Sequence, residues 1–255
     1  MKIVCLCVAV CGAAVCFGPV SVGADIGVPF SETWDQETVG DNANELTLWD
    51  HEPSYGSAPA SDTVIATVSG ADKALNMNPR DSESTGVRSE RAFFSSGLLS
   101  VQSDIQLTTD GGGAGVLGFC QDNGPLYGYV LAVARDPGGG AWLDLRKFYG
   151  DLNDSFTTGA VYFPFDPLVR HSYRVDAAFG SGQIDFSVYV DGEHKSHAFL
   201  DVTDPDPHSF AGGLNFVLAS NYGQQAYFDD FQAIPEPASL ALLGLGALGL
   251  LRKKR

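Results

Sequence analysis

Disulfide-forming cysteine is nearly absent from this chain. Of its five Cys, four (Cys5, Cys7, Cys11 and Cys16) lie among the first sixteen residues, which leaves Cys120 alone in the body of the protein. One cysteine makes no disulfide framework. Within "GVLGFCQ" it reads as a small buried hydrophobe, since no local base would activate it. Basic residues are scarce too: 15 Lys and Arg against 31 Asp and Glu. That balance excludes nucleic acid and anionic membrane surfaces as natural partners of the acidic body. Sustained helical periodicity is missing until the last residues of the chain. Also missing are a Gly-rich phosphate loop ahead of a helix and a local Ser-His-Asp set. No Glu-x-Asp-x-Glu run places alternate carboxylates on one strand face, and Asp144 in "WLDLRKFYGD" has no acidic neighbour two residues away. "TTDGGG" offers only Asp110. His194 and His197 fall on opposite faces of a hairpin arm and read as solvated. Asp201, Asp204 and Asp206 cluster in "DVTDPDPH" without the glycine and closing glutamate of an EF-hand loop, which leaves at most a weak calcium contact there.

The two ends are built differently from the middle. Lys2 precedes an apolar stretch, Ile3 to Phe17, and Val22-Gly23-Ala24 has the small-residue pattern of a signal peptidase site. Residues 1–24 therefore read as a secretory signal peptide. A lipoprotein signal is discounted because valine precedes both Cys11 and Cys16, where glycine or alanine is wanted. At the other end, Ala238 to Leu251 contains seven Leu, three Gly, three Ala and one Ser, followed by Arg252-Lys253-Lys254-Arg255. A helix of that length spans about 21 Å, short of the ~30 Å hydrocarbon core, so the run is a marginal anchor whose basic end belongs on the cytoplasmic side. Pro235 and Pro237 fix their φ angles and hold Glu236 in an extended segment a protease can grip. Removing both ends takes away five of the 15 basic residues and one of the 31 acidic ones, leaving ten against thirty, a net charge of −20.

"PEPASLALLGLGALGLLRKKR" resembles the tripartite C-terminal sorting signal of bacterial PEP-CTERM proteins, with Pro235, Glu236 and Pro237 as the motif, then the apolar run and the basic tail. The resemblance implies sorting and cleavage by an exosortase, a membrane-embedded cysteine protease, in a Gram-negative-type envelope. It implies a transient stay in the inner membrane, then delivery to the cell surface or the extracellular polysaccharide matrix.

Residues 25–234 read as one domain. Eleven stretches are short, β-branched or aromatic and partly alternating, from "SDTVIATVSG" to "AYFDDFQA", with Gly, Pro, Asn and Asp clusters between them. They predict an all-β antiparallel sandwich. Asp191-Gly192 predicts a type I′ hairpin turn. "FSETWDQETVG", "KALNMN", "HSYRVDAAFGSGQIDFSVYVDGEHK" and "AYFDDFQAI" together resemble laminin-G-like, concanavalin A-like jelly rolls. That resemblance implies a domain that binds carbohydrate or packs into polysaccharide, with Trp142, Tyr127 or Tyr149 as aromatics for stacking on sugar rings or, as the competing reading, for core packing; the missing alternating carboxylates favour a non-catalytic role. A secreted glycan hydrolase with an unrecognised carboxylate pair is the alternative. The resemblance also implies a structural calcium ion, for which Glu32 and either Asp229 or Asp230 are the candidate ligands; Asp229 is preferred because it is expected to share a face with Tyr227 and Phe231, and solvated surface carboxylates are the competing reading.

Overall fold

The computed structural model describes residues 25–235 except 27, 52–57, 70–71, 81–82, 95–96, 109–112, 122–126 and 150–158. The expected signal peptide, Glu236, Pro237, the apolar run and the basic tail lie outside the described residues, as do Asp110 and the side chain of Tyr149. Eighteen strands cross the described residues. The first seven are β1 (Asp25–Ile26), β2 (Phe30–Glu32), β3 (Trp49–His51), β4 (Thr63–Ser69), β5 (Asp72–Met77), β6 (Thr85–Ser89) and β7 (Arg91–Ala92). Long strands follow: β8 (Gly97–Leu107), β9 (Ala114–Gln121), β10 (Tyr127–Arg135) and β11 (Ala141–Tyr149). The remainder are β12 (Val161–Phe163), β13 (His171–Phe179), β14 (Ile184–Val190), β15 (Glu193–His194), β16 (Val202–Asp204), β17 (Leu214–Ser220) and β18 (Ala226–Pro235).

Two nine-stranded sheets face each other. The first runs β1-β7-β17-β9-β10-β11-β12, with β6 also on β17 and β3 on β6. The second runs β15-β14-β13-β8-β18-β5-β4, with β16 on β14 and β2 on β18. Apart from the parallel pair β1 and β7, every pairing between these strands is antiparallel. This is the antiparallel sandwich that the alternation predicts. β8 shows why: Leu99, Val101, Ile105 and Leu107 point into the core while Ser100, Gln102, Asp104 and Gln106 alternate with them on the other face. The two-residue turn after β14 has φ 51° at Asp191 and 77° at Gly192, both left-handed as a type I′ turn requires.

An aromatic group fills the core beneath the first strands. Trp49 meets Phe231 edge-on with ring centroids 5.1 Å apart, and Phe30 stacks on Phe216 at 6.1 Å. The first sheet is apolar on both faces. Its outward side carries a second buried cluster of Val116, Cys120, Val130, Ala132, Phe148, Val217 and Ala219. The Cys120 thiol is part of that cluster and is not disulfide-bonded.

Candidate functional site

The register of the first sheet lines up its outward residues across strands. One rung reads Asp50, Arg88, Val217, Gly118, Val130, Arg146 from β3 to β11. The next reads Ala219, Val116, Ala132, Asp144, and a third reads Ala114, Ala134, Trp142, Tyr162. Small residues thus form a floor, with Asp50 and Arg88 at the β3–β6 margin and Asp144, Arg146 and the Trp142–Tyr162 pair at the β11–β12 margin. Gly118 keeps the floor low, because a Cβ there would sit 2.1 Å from the Tyr129 carbonyl oxygen.

The aromatic margin is the most exposed part of this face. Trp142 is 37% exposed and Tyr162 45%. Their rings pack near-perpendicular with centroids 5.5 Å apart. Both are held from behind by the turn Asp136-Pro137-Gly138-Gly139-Gly140. The Trp142 Nε1–H donates to Asp136 Oδ1 at 3.0 Å, and the Tyr162 hydroxyl donates to the Gly139 carbonyl at 3.0 Å. Gly140, at φ +97°, has no room for a side chain because a Cβ would lie 2.6 Å from the Tyr162 ring. The polar atoms of both rings are thus engaged by this surface turn, which leaves carbon faces and edges to the solvent. Asp144 and Arg146 continue the same face along β11, with Arg146 Nε 2.7 Å from Asp144 Oδ2.

The chemistry available on β11 is limited. Retaining glycoside hydrolysis needs two carboxyl groups roughly 5 Å apart. The positions that flank Asp144 on its face hold Trp142 and Arg146. Tyr127 and Tyr149 stand opposite each other at the far end of the strand pair, and the Tyr127 ring meets His208 edge-on at 5.3 Å. Trp142 and Tyr127 lie at opposite ends of this strand pair and do not converge; Tyr162, which the sequence reading missed, is the ring neighbour of Trp142.

A second ionic site lies on the outward face of the other sheet. Asp104 on β8 stands opposite Asp229 on β18. Arg170 binds the Asp229 carboxylate, approaches Asp104 Oδ2 at 3.5 Å and reaches Asp72 Oδ2 at 3.3 Å. Burial pushes the Asp229 carboxyl up to about 6, against the Asp230 amide and Arg170, which favour the charged form. Asp104 is also raised, again chiefly by burial. Asp229 shares its face with Tyr227 but not with Phe231, which corrects the sequence expectation. The register shifts between Asp229 and Gln232, with Asp230 at φ 45°, and this bulge turns Phe231 into the core. Glu32 stands opposite Phe231 and accepts the Trp34 amide at 2.8 Å, with its pKa raised by burial. The two candidate calcium ligands are thus placed on different faces of the sheet. Among the described residues no group of three or more His, Cys, Asp or Glu side chains is gathered that could hold a metal ion. His194 bonds Asp201 at 2.7 Å, whereas His197 accepts the Phe199 amide at 3.2 Å.

Asp204 leaves its aspartate-rich loop for the interior. Its carboxylate pairs with Lys147 Nζ at 2.8 Å, both side chains being 1% exposed, and accepts the Tyr129 hydroxyl at 2.5 Å. Burial opposes its charge, but Lys147, Tyr129 and the Asp206 amide outweigh burial and hold its pKa below the usual carboxylate range.

Comparison with known proteins separates the tail from the domain. Residues 233–255 match the PEP-CTERM protein-sorting motif. The tail is a PEP-CTERM signal. No curated protein matches the chain. Among solved structures, the chain is similar to one described for endo-acting O-glycanases of the human gut microbiota that initiate mucin breakdown (TM-score 0.52, 13% identity, 81% of this chain and 98% of that one). It is similar to a prokaryotic β-1,3-1,4-glucanase (lichenase) from a mouse hindgut metagenome (TM-score 0.50, 16% identity, 81% and 98%). It is also similar to the potassium-bound carbohydrate recognition domain of Emp46p (TM-score 0.50, 9% identity, 77% and 96%). At such identities these likenesses establish the fold, a concanavalin A-like jelly roll, and nothing finer.

The PEP-CTERM signal marks the protein for export and membrane sorting, and it adjoins the sandwich directly. Pro235, the first residue of Pro-Glu-Pro, is the last residue of β18 and stands opposite Leu99 of β8. No linker separates the sheet from the motif.

Proposed function

We propose that this is an exported, non-catalytic surface or matrix protein whose jelly roll binds a neutral polysaccharide through Trp142 and Tyr162. Signal peptidase removes residues 1–24, and an exosortase acts at the Pro-Glu-Pro segment. The inner membrane is a way-station and the cell surface or extracellular matrix the destination. The observation that carries the binding reading is the exposed Trp142–Tyr162 pair, pinned by the 136–140 turn, whose hydrogen bonds engage the polar atoms of both rings. Flat carbon surfaces stack on the C–H faces of sugar rings, and the adjacent Asp144–Arg146 pair supplies donors and acceptors for hydroxyls. A net charge of −20 for residues 25–234 disfavours polyanionic glycans. A non-catalytic reading draws support from β11, where Trp142 and Arg146 flank Asp144 at the positions an alternating-carboxylate strand would give to further acids.

The test is affinity gel electrophoresis of the exported protein through a panel of neutral soluble polysaccharides. Retardation by at least one glycan is expected, weakened about 5- to 30-fold in Trp142→Ala, as a stacking loss of about 1–2 kcal/mol implies. Equal retardation of both proteins rejects the Trp142 site. Release of reducing ends from a retarding glycan, abolished in Asp144→Asn, would establish the hydrolase alternative instead.

A further inference from the structure

The sandwich has one end whose chemistry differs from the rest of the chain. There, a pocket of about 490 Å³ opens among Phe93, Phe94, Phe179, Gln183, His208 and Phe210. None of its lining residues is Asp, Glu, Lys or Arg, in a chain with 31 acidic and 15 basic residues. His208 does not add charge at neutral pH, since burial lowers its pKa. Phe93 at the pocket rim is 56% exposed and Ile234 is 41% exposed. The Arg91 guanidinium lies 4.9 Å from the Phe93 ring centre. Aromatic, aliphatic and basic side chains in that combination are what membrane–water interfaces select.

The described chain leaves the sandwich at this same end. Pro235 stands opposite Leu99, and two residues further along β8 Gly97 stands opposite Phe179 of the pocket wall. Strand spacing puts Pro235 about 12 Å from Phe179. The apolar run begins at Ala238, three residues beyond Pro235. Three extended residues reach at most about 10 Å. With that tether, a domain attached to a membrane-inserted run cannot stand off from the bilayer.

We propose that the Phe93–Ile234 end of the sandwich rests on the bilayer surface, with Phe93 and the pocket rim in the headgroup region, for as long as the C-terminal run is attached. This rests on the reading of the run as membrane-inserted. Cleavage at the motif would then free the aromatic end from its support, and the acidic remainder of the surface would favour release from anionic lipid.

Tryptophan probes in the full-length chain test this, reconstituted into phosphatidylcholine vesicles with brominated acyl chains. Emission is measured relative to wild type, whose own tryptophans set the background. Leu243→Trp reports the run, Phe93→Trp and Ile234→Trp report the proposed face, and Tyr222→Trp reports the opposite end. Tyr222 is 56% exposed beside the start of β18, about 30 Å from Pro235 along the strand. The expected result is that Leu243→Trp, Phe93→Trp and Ile234→Trp lose most of their added emission to bromine while Tyr222→Trp keeps it. Quenching of Leu243→Trp, with Phe93→Trp and Ile234→Trp no more quenched than Tyr222→Trp, overturns the proposed face and leaves the membrane run standing. An unquenched Leu243→Trp overturns the membrane reading itself. Ile234→Trp keeps the test decisive if the aromatic rim does not tolerate the larger ring.

Discussion

Lys147→Met is the sharpest perturbation the interior offers. Lys147 lies on β11 between inward-facing leucines and the loop that carries Asp204, and both charged side chains are 1% exposed. At 2.8 Å the pair attracts by about 6 kcal/mol with an effective dielectric near 20, and desolvation consumes most of that. Removing the cation does not return the desolvation cost of the anion. Asp204 would remain buried with the Tyr129 hydroxyl and the Asp206 amide as hydrogen-bond donors. Those two bonds temper the loss, so it should fall near 3–4 kcal/mol, within the range for breaking a buried pair. For a domain of this size that is roughly a 6–15 °C drop in Tm. Asp204→Asn should cost about as much, since it leaves a buried ammonium with the Asp206 carbonyl as acceptor but without its counter-charge. The double variant Lys147→Met, Asp204→Asn removes both charges and should lose less than the two single losses together by a coupling of about 2 kcal/mol or more. Urea unfolding of a soluble form lacking residues 1–24 and 236–255 measures all three. A Lys147→Met loss below about 1 kcal/mol, or strict additivity in the double variant, would refute the reasoning.

Three further outcomes are expected. Asp229 has a folded pKa of about 6 against 3.8 unfolded, so its contribution is full below about pH 4 and is lost as pH rises through 6. Stability should therefore fall by about 1 kcal/mol between pH 5 and pH 7 on its account, and Asp229→Asn should flatten that part of the profile. Calcium at Glu32 and Asp229 is checked by thermal unfolding in calcium and in chelator. A midpoint that rises with calcium in the wild type and not in Asp229→Ala establishes the ion, and equal midpoints leave Arg170 as the counter-charge of Asp229. Glu236→Ala should block surface delivery, read by cell fractionation, without moving Tm, because the substituted residue lies past the last strand.

What could be read from the sequence was local. The alternation in "LLSVQSDIQL" and the Asp-Gly turn are stated by neighbours in the chain, and each forms as those neighbours dictate. The chain terminus was legible for the same reason, since a sorting signal must be read in linear order by its enzyme. The sites were harder because they are made by register between distant strands. Trp142 meets Tyr162 only through the β11–β12 pairing, and Asp104 meets Asp229 only through β8–β18. The bulge after Asp229 has no local signature that separates it from continued alternation in "AYFDDFQA". Lys147 was different: it has the same parity as Leu143 and Leu145, so the strand pattern itself points it inward, and the cation on a core face was the missed signal.

Pro235 joins the two legible parts of the molecule. As a residue of β18 it closes the ladder against Leu99. As a proline it has no N–H to donate to a ladder hydrogen bond. The residue that opens the sorting motif is thus the one that ends the fold. A conventional linker would let a protease work at a distance from the domain. Here the folded rim, with Leu99 beside the motif and the Phe93 pocket about 12 Å away, lies within reach of whatever engages Glu236. An enzyme that processes the motif would therefore meet that rim as well, unless the final rung, which has no proline donor, opens first.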